Sequence, residues 1–188
     1  MSSINLSKGQ RISLEKSGGG SLTKIFMGLG WDPDPGEDDI DLDASCICFD
    51  SSKKVVDTIY FGQLSGAGGS VFHSGDNLTG DGDGDDEVIN VDLARVPANI
   101  ESLVFTINSF QGQTFNEVAN CFARLVDASS MFSKKELCIF KLSEKGANNA
   151  VIMCRVYRHS GQWKLSAMGN PATGRTAGDL ANQVISMF

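Results

Sequence analysis

"IDLDASCICFD", Ile40 to Asp50, alternates apolar and acidic residues in its first half: Ile40, Leu42 and Ala44 on one parity, Asp41 and Asp43 on the other. A period of two is what an extended strand imposes, because successive side chains leave opposite faces. The stretch therefore predicts a strand with one face turned to a core and a carboxylate pair on the other.

Working outward, similar short runs recur along the chain. "QRISLEK" and "LTKIFMGLGW" precede it, while "VVDTIYF", "EVINVDL", "ESLVFTINSF", "KELCIFKL", "AVIMCRVYRHS" and "QWKLSAMG" follow. Clusters of Gly, Asp, Asn, Ser and Pro separate them, and Ser160-Gly161 has the composition of a tight hairpin turn. This pattern predicts an all-β fold with a minor helix, built as a two-sheet β-sandwich. The helix is expected near residues 114–126. There Thr114 and Glu117 form a T-x-x-E capping signature, and Phe115, Val118, Phe122 and Leu125 recur at helical spacing. A second helical pattern, Leu180, Val184 and Met187 or Phe188, lies near the end of the chain. The division expected is a β-sandwich domain over 1–170 and a C-terminal extension over 171–188 with helical potential.

The chain has 188 residues, long enough for a substantial core, with 41% hydrophobic and 21% charged residues. No apolar run is long enough for a membrane-spanning helix, and "MSSINLSKGQRISLEK" has no apolar leader region. The five cysteines, Cys46, Cys48, Cys121, Cys138 and Cys154, form no C-x-x-C pair and are expected to be buried and reduced.

The net charge of −7 is unevenly placed. Asp32–Asp43 holds seven acids and Asp76–Glu87 holds six, so 13 of the 23 acids fall within 24 residues. Outside those two stretches the chain is net basic, but its basic residues are scattered without aromatic interleaving. Direct nucleic-acid binding is not expected.

Carboxylates held together repel unless something positive joins them. Asp41 and Asp43, about 6.7 Å apart along a strand, can converge on one ion. The other reading of this pair is edge charge that blocks strand pairing. The second cluster offers Asp76, Asn77, Thr79, Asp81, Asp83, Asp85, Asp86 and Glu87, all oxygen donors, on a loop loosened by glycines. Oxygen-only ligands in a tolerant geometry favour calcium over magnesium, and a chain with two histidines offers little to zinc or copper. The loop is not an EF-hand. With Asp76 at position 1, Glu87 falls at 12, but Leu78, Gly80 and Asp81 occupy positions 3, 5 and 6.

Taken in order, "LSKGQRISLEK", "MGLGWD", "DIDLDAS", "GSVFHSGDNLTGDGDGDDEVINVDLARVP", "FTINSFQGQTFNEVANCFARLVD" and "CRVYRHSGQWKLSAMG" resemble the pattern of the TerD family of tellurium-resistance and stress-response proteins. The resemblance runs from about Leu6 to Gly169. It implies a cytoplasmic bacterial β-sandwich that binds calcium, with two ions expected, through Asp41 and Asp43 from one segment and the Asp76–Glu87 donors from the other. The turn "WDPDPGEDDIDLD" is shorter and richer in proline than the family's segment, so no ligand is assigned between Asp32 and Asp39. The tail after Gly169 also departs from the family's short endings.

The function expected is that of a non-enzymatic calcium-binding protein acting through other stress-response proteins, with membrane-associated complexes as a further setting and no evident small-molecule substrate. The alternative is a metal-dependent hydrolytic enzyme using the acidic cluster. Against it, the sequence carries no G-x-S-x-G, Walker A or H-E-x-x-H motif, and His73 and His159 are expected at surface or turn positions.

Overall fold

The computed structural model describes residues 8–15, 19–32, 40–80, 84–130, 134–141 and 146–187. Among these, twelve strands form two six-stranded antiparallel sheets. The strands are β1 Arg11–Ser13, β2 Lys24–Asp32, β3 Leu42–Phe49, β4 Val55–Ile59, β5 Ser65–Gly66, β6 Val71–His73, β7 Glu87–Asp92, β8 Ser102–Ser109, β9 Ala119–Asp127, β10 Lys135–Lys141, β11 Ala150–His159 and β12 Gln162–Ala172. The first sheet runs β1-β12-β11-β8-β3-β4 and the second β10-β9-β2-β7-β6-β5.

The main core lies between the sheets. Alternation places Leu42, Ala44, Cys46 and Cys48 of β3 there, with Phe105 and Ile107 of β8 and Met27 and Leu29 of β2. The opposite face of β3 carries Ile47 and Phe49, which a sandwich alone would leave exposed. Helix α1, Ala177–Ile185, covers that face: Leu180 and Val184, four apart on one helical stripe, pack with Ile47, Phe49, Val104 and Ile152. Every residue of β3 is consequently buried, which accounts for the unbroken apolar run "CICF" where alternation stops. The helical pattern in the tail is thus realised as α1. Its start is fixed by a reciprocal cap: Thr176 Oγ1 accepts from the Asp179 N–H at 3.3 Å, and the Asp179 carboxylate accepts from the Thr176 N–H at 3.0 Å.

The helix expected at 114–126 is not formed, and that expectation is corrected here. The Thr114–Glu117 signature closes one turn, with the Glu117 N–H donating to Thr114 O at 2.9 Å and the Thr114 hydroxyl donating to the Glu117 carboxylate at 2.8 Å. The chain then enters β9, which is paired on both sides, to β2 and to β10. Cys121, Ala123 and Leu125 face the core while Phe122 and Arg124 do not, a period of two. Two flanking ladders and a buried face outweigh a helical spacing that local propensity supports only weakly.

Between β11 and β12, Ser160 and Gly161 both have positive φ, 51° and 77°, as a two-residue turn matching the twist of a hairpin requires. All five cysteines are free and buried. Burial pushes the Cys138 thiol up to about 12 and raises those of Cys46, Cys121 and Cys154 as well. No helix among the described residues is long and apolar enough to cross a membrane.

Candidate metal centre

Asp41 lies immediately before β3 and Asp43 within it, both on the parity that faces away from the main core. Asp76 follows β6 in the second sheet. The fold brings these carboxylates together across one end of the sandwich, with an oxygen of each within 4.8 Å of the others. Asp41 and Asp43 are buried and Asp76 is exposed.

The two buried carboxylates are poorly satisfied. The Asp43 Oδ2 accepts from the Asn108 amide at 2.9 Å, but Asp41 Oδ1 and Asp43 Oδ1 are buried without any hydrogen-bond donor. A buried carboxylate oxygen lacking a donor is costly unless a cation supplies what hydrogen bonds do not. Their protonation reflects this: burial first, then the Asp76 and Glu87 charges, raise Asp41 to about 6. Burial, followed by Asp41, Glu87 and Asp76, raises Asp43 to about 8, and the Asn108 hydrogen bond opposes that shift. An oxygen-only set with two orphaned acceptors fits a hard divalent cation.

The remaining acids of the second cluster are placed differently. Glu87, at the start of β7, is fully buried and reaches across to the other sheet, where its Oε2 accepts from the Ala44 N–H at 2.8 Å. Strand β4 joins β3 only from Cys46 onward, so the Ala44 backbone has no strand partner on that edge. Glu87 and His73 serve instead: His73 Nε2 lies 3.2 Å from Ala44 O and 3.3 Å from Glu87 Oε2. Because the Gly75 N–H donates to His73 Nδ1, the ring proton belongs on Nε2, facing those two acceptors. His73 is buried, which corrects its expected surface or turn position; His159 is exposed. The other Glu87 oxygen accepts from the Asn77 N–H at 3.3 Å.

Asp86 accepts from the Trp31 N–H at 2.9 Å and from the Asn77 amide at 3.2 Å. The Asn77 oxygen in turn accepts from the N–H groups of Thr79 and Gly80, curling the loop on itself. Gly80 has φ +70°, and a Cβ there would come within 2.4 Å of the Trp31 indole nitrogen, which donates to Ile40 O. Asp85 forms a two-bond pair with Arg124 at 2.8 and 2.9 Å. It lies over Gly28 of β2, where a Cβ would fall 2.3 Å from its carboxyl carbon. The expected ligands Asp81 and Asp83, and Asp34, Glu37, Asp38 and Asp39 of the proline-rich turn, lie outside the described residues. The structure therefore gathers Asp41, Asp43 and Asp76 at one point, with Glu87 close enough to raise the first two. Asp85 and Asp86 are bonded to Arg124 and to Trp31 and Asn77.

Sequence reasoning missed Asn108, Arg124 and Trp31 as supports. A polar amide inside the otherwise apolar "LVFTIN" of β8 was the visible signal for Asn108.

Comparison with known proteins agrees with this architecture. The model of the TerD domain family matches residues 1–183. The chain is 46% identical over 193 residues to the tellurium resistance protein TerZ of Serratia marcescens, covering 97% of both chains. It is 42% identical over 194 residues to general stress protein 16U of Bacillus subtilis, covering 96% of this chain and 98% of that one. Among solved structures, a homologue of the telluride resistance protein TerD from Streptomyces coelicolor superposes with a TM-score of 0.77. At 18% identity, over 88% of this chain and 98% of that one, it is evidence for the fold alone.

Proposed function

The chain belongs to the TerD domain family, and from that premise we propose that it is a non-enzymatic, calcium-binding protein of the tellurite-resistance and general stress-response type. One observation carries the metal assignment: two buried carboxylates, Asp41 and Asp43, each keep an oxygen without a donor and gather with the Asp76 carboxylate from the loop after β6. These three residues would hold the ion. Its chemistry there is charge neutralisation, tying β3 to the loop after β6 and linking metal binding to the order of that end of the sandwich. Calcium is preferred because every candidate donor is an oxygen and the donors come from a strand and a loop, a set too irregular for magnesium's compact octahedron.

The reading extends to two ions, as the resemblance implies, with Asp81 and Asp83 among the candidate ligands of the second. Several relatives carry names referring to tellurium resistance or stress response, and none of these names an enzymatic activity. Those names accord with a non-catalytic role, and the proposal, following the resemblance, sets that role in the cytoplasm through contacts with other stress-response proteins, some in membrane-associated complexes.

Calorimetric titration of the metal-free protein with calcium and, separately, magnesium tests the proposal. Saturable calcium binding that outcompetes magnesium is expected. Magnesium binding of equal strength, or no calcium binding, would overturn it.

A further inference from the structure

Asp43 stands directly opposite Asn108 in the ladder between β3 and β8, so the two side chains leave the first sheet on the same outer face. That face also receives α1. Ile47 and Phe49, further along β3 on the same parity, belong to the apolar seat that takes Leu180 and Val184. One strand therefore carries both a candidate metal ligand and part of the docking site of the helix, and a side chain of its neighbour touches both.

Asn108 is 1% exposed, and its amide nitrogen donates in two directions, to Asp43 Oδ2 at 2.9 Å and to the Arg175 carbonyl at 2.7 Å. Its Oδ1 is buried with no donor, so the amide is oriented by its two N–H bonds. Turning it over would set its oxygen against two acceptors. Arg175 is in turn the residue through which the start of α1 is tied down. Its backbone N–H donates to the Asp179 carboxylate in the first helical turn at 3.0 Å, and its Nε donates to Phe110 O at 2.7 Å. Phe110, just past the end of β8, donates its own N–H to Asp41 O at 3.0 Å. Asp43 and Asp41 are thus both joined to Arg175, the first through the Asn108 side chain and the second through the Phe110 backbone.

Groups that orient a metal ligand from behind set its affinity, and a group already ordered by one partner costs less to order for the next. We infer that Asn108 is a positioning residue of the metal centre and couples that centre to α1. A seated helix fixes the Arg175 carbonyl, the carbonyl fixes the Asn108 amide, and the amide holds the Asp43 carboxylate in the orientation it has beside Asp41 and Asp76. The same contacts run backward, so calcium on the carboxylates holds the helix on its seat. Linked equilibria are reciprocal, which makes the two effects equal in size. The inference rests on the calcium reading and adds to it a helix that carries none of the ligands.

A thermodynamic cycle on the full chain tests it, with calcium Kd measured by calorimetry for the parent, Asn108→Leu, Leu180→Gln and the double variant. Asn108→Leu keeps the size of the side chain and removes both donors, and calcium affinity should fall about tenfold. Leu180→Gln puts a polar group in the apolar seat and touches no acid, and affinity should fall about fivefold. In the double variant the helix substitution should add less than about twofold, because the link it acts through is gone. Val184→Gln, one turn further along α1, serves the same arm should Leu180→Gln fail to fold. Amide exchange followed by NMR reads the reverse direction. Calcium should slow local exchange of the α1 amides about fivefold in the parent and leave it unchanged in Asn108→Leu. Undiminished calcium affinity in Asn108→Leu or in the helix variant overturns the inference and leaves the metal centre standing. So does a helix substitution that weakens calcium equally with and without Asn108. A parent that binds no calcium overturns the metal reading and this inference together.

Discussion

Asp43 and Glu87 are both buried carboxylates at the same end of the sandwich, one from each sheet, and they have opposite circumstances. Glu87 accepts from two backbone N–H groups and faces a histidine N–H. Asp43 has one amide on one oxygen and nothing on the other, and it is raised to about 8. Acidity alone does not make a ligand. A carboxylate whose lone pairs already meet N–H groups holds the fold together, whereas one left short of donors is available to a cation.

The comparison can be broken most forcefully at Glu87. Glu87→Ala would strip the Ala44 and Asn77 N–H groups of their acceptor, and a loss of about 3 kcal/mol in unfolding free energy is expected, with or without calcium. Urea denaturation measures it. A variant as stable as the parent without calcium, but unable to bind it, would make Glu87 a ligand rather than a brace.

Next comes the double substitution Asp41→Asn and Asp43→Asn. Size is kept and charge removed, so calcium affinity should fall about tenfold or more, 1.4 kcal/mol being a factor of ten. The metal-free protein should be no less stable than the parent, because the substitution relieves buried, donor-poor charges. Calcium at about 100 times the parent's Kd should raise the parent's stability by about 2.7 kcal/mol and the variant's far less. Equal calcium-induced shifts in melting temperature would show that the loop binds the ion without the strand.

A pH series sharpens the same contrast. Asp41 and Asp43 have folded-state values of about 6 and about 8, both above the unfolded 3.8. Their contribution to metal-free stability is fully present below pH 3.8 and is lost as pH rises through 6 and 8. Calcium needs the ionised forms, so the calcium-induced rise in melting temperature should widen between pH 5.5 and 8.5. An increment independent of pH over that interval would remove these two residues from the site.

The smallest effect is expected at Asp85. Its pair with Arg124 is partly exposed, and Asp85→Asn should change stability by no more than about 1 kcal/mol. Calcium affinity should move by less than about threefold, a fraction of the 1.4 kcal/mol that a factor of ten represents. A loss comparable to that of the strand pair would place Asp85 among the ligands.

The sandwich was legible because a sheet with one buried face leaves an alternation that survives in single strands, as in Ile40 to Ala44. The strand at Ala119–Asp127 was not. Thr114 and Glu117 do close a turn, and from there the choice between helix and strand belongs to β2 and β10, which lie roughly ninety residues before it and just after it in sequence. Asp41, Asp43 and Asp76 could be proposed from composition and parity alone. That Glu87 is a cross-link depends on β4 ending two residues too soon to reach Ala44, a fact of register that no local pattern records. Asn108 likewise becomes informative only when α1 is folded over it.

The five enclosed thiols make this molecule its own stopwatch. All five are shut away from reagents by burial, and they are spread over β3, β9, β10 and β11, in both sheets. An alkylating reagent added to the native protein can modify them only as fast as the sandwich opens. The order in which they are trapped then tells which sheet lets go first, and a bound ion that clasps the two sheets at one end should slow every thiol together.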